Sequence, residues 1–268
     1  MQVQVRSVAP VRGWAWVAGG FLLFLRSPGQ WIVLLLILFV AKKALAAFPV
    51  AALAALFSIL AVLLMPVFMA GLMDGCMALA GGRRLEIGHL LRGFRRNAGN
   101  LVTIGGISLA GNLVILMVVV TIGGDAMTAM AKAIGSSQTV TPQLAEQMQA
   151  AMAQVAKAAL AGAALSLPLL MALWFAPLLV YFDDVKPLPA LKLSLVACLK
   201  NALPMLVYSL VLFALLLLVV PIGMRLREYD LGLWLMAPVI VPSIYVSYRD
   251  IFSTAPAGAP APPAAPTG

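Results

Sequence analysis

Residues 204–224 read PMLVYSLVLFALLLLVVPIGM, 21 residues without a single charge. Coiled as an α-helix, such a stretch extends about 31 Å, the thickness of a bilayer's hydrocarbon core. In lipid each backbone amide must find its partner inside the segment, and a helix achieves that. Similar apolar runs recur on both sides. Spans are expected at about 31–48, 50–70, 101–122, 156–182, 204–224 and 231–248. The fold class read from them is all-α: a polytopic transmembrane helical bundle of six spans with interfacial amphipathic helices.

Composition agrees. Of the 268 residues, 63% are hydrophobic and 10% charged. A soluble domain carries about a quarter charged residues. The excess of apolar side chains exceeds what one water-soluble core can hide. The expected organisation is an N-terminal segment with an interfacial helix (1–30), a transmembrane domain (31–252) and a disordered Pro/Ala-rich tail (253–268). Residues 14–25 are apolar enough for a signal-peptide core, but Arg26, Ser27 and Pro28 interrupt them and no small-x-small cleavage site follows. The N-terminus is therefore expected to stay attached.

The net charge is +9, and the cations sit between the apolar runs. With the N-terminus inside, twelve Lys and Arg fall on inner segments and six on outer ones. The positive-inside rule then places both termini on the cytoplasmic side of the membrane. Lys42 and Lys43 belong near an interface, because a Lys at a helix centre costs roughly 2.5–3.5 kcal/mol. No nucleic-acid module is visible, so the expected partners are lipids of the anionic inner leaflet. Protein partners and oligomeric state are not specified by the sequence.

A threefold pattern runs through the chain. Trp14, Val17, Phe21 and Phe24 follow helical spacing, as do Ile87, Leu90, Leu91 and Phe94, and Leu188, Leu191, Leu195 and Leu199. Each stretch ends on a cation, at Arg26-Ser27-Pro28, Arg96-Asn97-Ala98 and Lys200-Asn201-Ala202, and a span follows. The even-numbered spans rhyme too: Pro66 precedes Asp74, Pro177 precedes Asp184 and Pro242 precedes Asp250, at offsets of eight, seven and eight. The reading is a pseudo-repeat of three helical hairpins with amphipathic belts on one leaflet.

Candidate lipid-headgroup contacts are Arg83, Arg84, Arg92, Arg95, Arg96, Lys192 and Lys200. Asn112, near Gly105, Gly106, Ser108 and Gly111, is a candidate intramembrane polar site, through helix–helix packing or as part of a pathway. Gly71 and Gly75 form one GxxxG at a span end. His89, the one histidine, has no ligand partner at helical or turn spacing and reads as a solvated interfacial side chain. Asp183-Asp184 reads as a helix-end turn with local charge pairing. Cys76 and Cys198 read as small apolar residues rather than a disulfide. Met127, Met130, Met148 and Met152 in the outer connection 123–155 read as packing rather than a Cu(I) site. Thr141-Pro142 reads as a helix start, and Pro168 and Pro177 as kinks. No P-loop, GxSxG, HExxH or dinucleotide fingerprint is present. No catalytic, cofactor-binding or metal-binding residue is named, and no cofactor is expected.

Several stretches carry a family resemblance: Gly20-Phe21 to Phe24, Arg26, Pro28 and Trp31; Pro66-Val67-Phe68-Met69-Ala70-Gly71-Leu72 followed by Gly82, Leu90 and Gly93-Phe94; Trp174-Phe175-Ala176-Pro177-Leu178; and Ser243-Ile244-Tyr245-Val246-Ser247-Tyr248-Arg249-Asp250. Over residues 12–252 the chain resembles an uncharacterised family of proteobacterial inner-membrane proteins. In plan it is more distantly similar to the membrane domain accompanying some glycerophosphodiester phosphodiesterases. Their catalytic domain has no counterpart here, so the resemblance implies no reaction. The expected function is a non-enzymatic scaffold, accessory or lipid-interacting component. The alternative is a small-molecule or lipid transporter, and a membrane-embedded enzyme would rest on Asp183, Asp184 and His89 alone.

Overall fold

The computed structural model describes residues 3–46, 50–135, 142–225 and 231–252. Among these it contains nine α-helices and one 3-10 helix. In order they are α1 (Arg12–Leu25), α2 (Pro28–Ala46), α3 (Ala51–Ala80), the 3-10 helix (Ile87–Phe94), α4 (Ala98–Gly135), α5 (Pro142–Trp174), α6 (Ala176–Asp183), α7 (Pro187–Lys200), α8 (Ala202–Arg225) and α9 (Leu231–Ile251). The only extended pairing among the described residues is an isolated antiparallel bridge between Val5 and Phe252. The expected disordered tail, the Pro49 connection and the Thr141 cap lie outside the described residues.

Four helical segments are long and apolar enough to cross a membrane: Ala52–Ala80, Ala98–Ala133, Ala145–Asp183 and Ala202–Arg225. A fifth candidate is the pair Arg12–Leu25 and Pro28–Ala44, which bends by 97° at its break. The break follows from local chemistry. Pro28 has no N–H to donate and its fixed φ suits the first position of a new helix. The Ser27 carbonyl accepts the Trp31 N–H as α2 begins.

Three expectations about element boundaries need correction. α3 continues ten residues past Ala70 and takes Asp74 and Cys76 into the helix, because nothing before Gly81 breaks it. In the expected outer connection 123–155 the departure lies in the first part, where α4 runs on to Gly135, while the helix expected from Pro142 into the fourth span is present as α5. The connection's Ala, Met, Gln and Lys residues are good helix formers, so the helices extend past the apolar runs. The stretch 87–94 is a 3-10 rather than an α-helix. Pro168 lies within α5, whereas the break comes at Phe175, just before Pro177.

The chain divides into two compact units, 1–105 with 172–268, and 106–171. The first is cored by Trp16, Trp31, Leu34, Met73, Phe175, Leu178, Leu179 and Ile251, all fully buried. Much of its remaining apolar surface is open, including Leu217 and Leu218 of α8. In the second unit small residues bring helical turns together: β-carbons at Gly111, Gly123 and Gly162 would press on Leu169, Ala158 and Val119. Gln154 donates to the Ile122 carbonyl at 2.7 Å in the same unit.

Candidate interfacial site

The candidate lipid contacts lie in the first unit, where three short elements each pack on another helix. α1 packs on α9, the 3-10 helix on α3, and α7 on α6. Small residues make each approach close. A β-carbon at Gly20 of α1 would stand 2.6 Å from the Ser243 nitrogen of α9. One at Gly93 of the 3-10 helix would overlap the Val67 carbonyl of α3, and one at Gly71 of α3 the His89 carbonyl. On α7 the packed face is Ala190, Ser194, Ala197 and Cys198. Burial pushes the Cys198 thiol up to about 12. Both cysteines are buried and neither is in a disulfide.

At each junction an acid takes bonds from a partner distant in sequence. Asp250 of α9 accepts from Arg12 Nε at 2.8 Å and Nη2 at 2.9 Å, and from Trp16 Nε1 at 2.8 Å. Asp74 of α3 accepts Arg92 Nη1 at 2.8 Å and the Tyr181 hydroxyl of α6 at 3.0 Å. Asp184, which caps α6 in a left-handed conformation, accepts Arg96 Nη2 at 2.7 Å and Asn97 Nδ2 at 2.6 Å. The Arg96 guanidinium, then Asn97, hold the Asp184 carboxyl below the usual carboxylate range. Asp183 accepts the Tyr248 hydroxyl of α9. The local charge pairing expected at Asp183-Asp184 is thus replaced, in the bonds described, by contacts 65 to 88 residues away. A helix-end acid left facing solvent gains little from a neighbouring Lys, whereas a planar guanidinium fixes two helices at once.

The polar residues at the start of each span tie in other chain ends. Arg26 donates to the Leu79 carbonyl at 2.8 Å, near the close of α3. Asn97 donates to the Val180 carbonyl at 2.9 Å. Asn201 accepts the Val8 N–H and donates to the Arg6 carbonyl, both at 2.9 Å. Ser194 Oγ accepts the Phe175 N–H at 2.9 Å, which the helix break had left without its intrahelical partner.

His89 departs from the solvated reading: it is 2% exposed. Gly71 and Gly75 are the cause. A β-carbon at Gly75 would overlap a Leu85 methyl group and sit 3.6 Å from His89 Cβ, so the glycine pair is the seat on which the 3-10 helix rests. His89 Nδ1 lies 3.0 Å from both the backbone nitrogen and the carbonyl oxygen of Glu86, accepting from the first or donating to the second according to tautomer. The Asp74 carboxylate facing Nε2 favours the tautomer that carries its proton there, with Nδ1 as the acceptor. Nε2 is buried with no hydrogen-bond partner among the described residues, and it lies 3.7 Å from Asp74 Oδ2.

The candidate lipid contacts divide. Arg83, Arg84 and Arg92 line one cleft of about 360 Å³ together with Ala78, Gly82, Glu86 and His89. Lys200 lines another, of about 220 Å³, with Ser7, Val8 and Pro10. Arg96 is engaged by Asp184, while Arg95 and Lys192 are exposed elsewhere on the surface. Asn112, in the second unit, donates its amide to the Ser108 carbonyl one turn back at 2.7 Å. Around them the short elements present large apolar side chains outward: Trp14, Phe21 and Leu25 on α1, Ile87 and Leu91 on the 3-10 helix, Leu188 and Leu199 on α7. The faces read from the sequence are split, with Val17, Leu90 and Leu191 turned inward. Sequence reasoning missed Arg12, Trp16, Tyr181 and Tyr248 as partners of the acids, for nothing local in the sequence links them.

Comparison with known proteins gives one informative likeness. A probable inner membrane protein of Burkholderia thailandensis is 30% identical over 274 aligned positions, covering 96% of this chain and 97% of that protein. The chain belongs to the same family of inner membrane proteins. No family model matches it. No solved structure matches it either. Family membership and the apolar helices together make it a transmembrane protein of the inner membrane.

Proposed function

We propose that this inner-membrane protein is a non-enzymatic, lipid-interacting scaffold or accessory component, whose chain is a threefold pseudo-repeat of helical hairpins. Each hairpin contributes an interfacial element, an odd-numbered span and an even-numbered span. Six spans then include α2 and α9, whose 19 and 21 residues reach about 28 and 31 Å, enough for a bilayer core. Both termini, and with them all three interfacial elements, lie on the cytoplasmic side under the positive-inside rule.

The observation that carries this reading is the pairing of elements. Each short element rests on the helix of the even-numbered span of the preceding hairpin in a cyclic order: α1 on α9, the 3-10 helix on α3, α7 on α6. Docked in this way, the outer faces of all three are held out of the protein. Trp14 is 58% exposed, Leu91 57% and Leu188 69%, beside the exposed cations Arg83, Arg84, Arg95 and Lys192. Apolar side chains flanked by cations match the headgroup boundary of an anionic leaflet. The transporter alternative draws on the pseudo-repeat, the kinked fourth helix and Asn112, whose amide donates to the Ser108 carbonyl of its own helix.

The test is thermal unfolding of the full-length protein in nanodiscs of phosphatidylcholine with and without phosphatidylglycerol. Anionic lipid is expected to raise the unfolding temperature, and added salt to reduce the gain. Equal unfolding temperatures in the two bilayers would remove the lipid-interacting role.

A further inference from the structure

We infer that the cleft between the end of α3 and the 3-10 helix binds a phosphate oxyanion, with Arg83, Arg84 and Arg92 as its ligands and His89 as the group that senses its occupancy. The inference rests on the lipid-interacting reading and names the chemistry and the place.

Two observations point to a ligand. First, the Arg83 and Arg84 side chains make no hydrogen bond or ion pair among the described residues, although both line the same cleft of about 360 Å³. They stand on the non-helical segment after α3, where Gly82 takes a φ of +75° that turns the chain back across the helix end. Guanidinium forks match phosphate oxygens, two parallel bonds at a time. The charge fits as well. Counting the acids Asp74 and Glu86 against Arg83, Arg84 and Arg92 leaves one net positive charge for a phosphodiester monoanion.

Second, the buried Nε2 proton of His89 has no acceptor, and Asp74 Oδ2 lies 3.7 Å away, already holding Arg92. Arg92 faces both ways, since it lines the cleft and bonds Asp74. When Arg92 turns to an oxyanion in the cleft, Asp74 loses a donor. The His89 Nε2–H closes on the vacated oxygen, and Tyr181 keeps the other. The carboxylate is satisfied in both states, so occupying the cleft does not leave a buried charge unpartnered. The exposed Ile87 and Leu91 on the same 3-10 helix favour a phospholipid over free phosphate as the source.

The chain's one histidine makes the test direct. Full-length protein labelled with 15N-histidine, in maltoside detergent free of phosphate, is titrated with short-chain phosphatidylglycerol, with inorganic phosphate and with uncharged diacylglycerol. A saturable change in the imidazole resonances with phosphatidylglycerol alone assigns a lipid phosphate. The same change with inorganic phosphate assigns a free phosphate. Either supports the oxyanion site. No change with either, or an equal change with diacylglycerol, overturns it. Arg83→Gln with Arg84→Gln, both exposed and without structural bonds, is expected to weaken the apparent affinity by about 30-fold. An undiminished response in that variant also overturns the site. The unfolding-temperature gain in anionic nanodiscs separates the two claims: if it persists while the histidine stays silent, the cleft fails and the interfacial reading stands.

Discussion

Tyr181 donates its hydroxyl to Asp74 at 3.0 Å, joining α6 to α3 across 107 residues of sequence. With Arg92 on the second oxygen, the carboxylate holds three elements together. Asp74 is buried within an apolar helix, where an ionised carboxylate is tolerated only when paired.

Breaking that cluster from either side is expected to destabilise the fold unequally. Asp74→Ala leaves Arg92 and Tyr181 without their acceptor and should cost about 3–5 kcal/mol. Tyr181→Phe removes one hydrogen bond to a charged group and should cost about 1.5–3 kcal/mol. A double-mutant cycle in detergent, read by denaturant unfolding, should give a coupling clearly above zero. Additive losses would mean that the two residues do not act together.

Glycine substitutions on the 3-10 helix should separate contact from propensity. A β-carbon at Gly93 would overlap the Val67 carbonyl, whereas one at Gly88 meets nothing within 4 Å. Gly93→Ala is expected to cost about 1–3 kcal/mol, the usual penalty for overpacking. Gly88→Ala should be neutral or slightly stabilising. Unfolding curves of the two variants, measured side by side, test the docking of this element on α3.

Ser194→Ala should loosen the α5–α6 break. The hydroxyl it removes accepts the Phe175 N–H at a buried site. An orphaned buried amide costs about 1–3 kcal/mol. Hydrogen exchange at Phe175 should speed up in the variant while exchange in the middle of α8 stays unchanged.

The Asp184–Arg96 pair predicts an acid-side pH dependence. The Asp184 pKa is lowered in the fold from an ordinary 3.8. A lowered pKa means that the group contributes stability at pH values above its unfolded pKa, and that the contribution fades as pH falls through the folded one. Asp184→Asn should therefore unfold at a lower temperature than the parent by a constant small margin above about pH 5. The margin should close in more acidic buffer. Its side chain is 63% exposed, so the margin is modest and shrinks with salt.

Much of this fold was legible in the chain because hydropathy and length act locally. The run 204–224 lies inside the observed α8, and Pro142 starts α5 as its proline suggests. Helix ends were misjudged where residues are neither apolar nor helix-breaking. The stretch after Ala70, interrupted only by Asp74 and two glycines, and the Ala/Met/Lys stretch after Ile122 keep their helical bonds past the expected span ends. At the site, the sequence marked Asp74, Asp184 and Asp250 by their spacing from prolines, and Asn97 and Asn201 by their place after a cation. It did not mark Arg12, Trp16, Tyr181 or Tyr248, since pairing across a fold is set by three-dimensional packing. Gly71 and Gly75 looked like a faint helix–helix motif and turned out to be the seat of His89.

Interfacial placement of the three short elements is tested most directly by nitroxide depth measurements. The native cysteines are both buried, so labels can be introduced one at a time at Trp14→Cys, Leu91→Cys and Leu199→Cys, all exposed positions. In bilayers, collisions with oxygen should exceed those with a water-soluble nickel chelate at all three sites, at a depth of about 5–10 Å below the headgroup surface. Labels that meet the nickel chelate freely, as on a solvated loop, would contradict the proposed membrane belt.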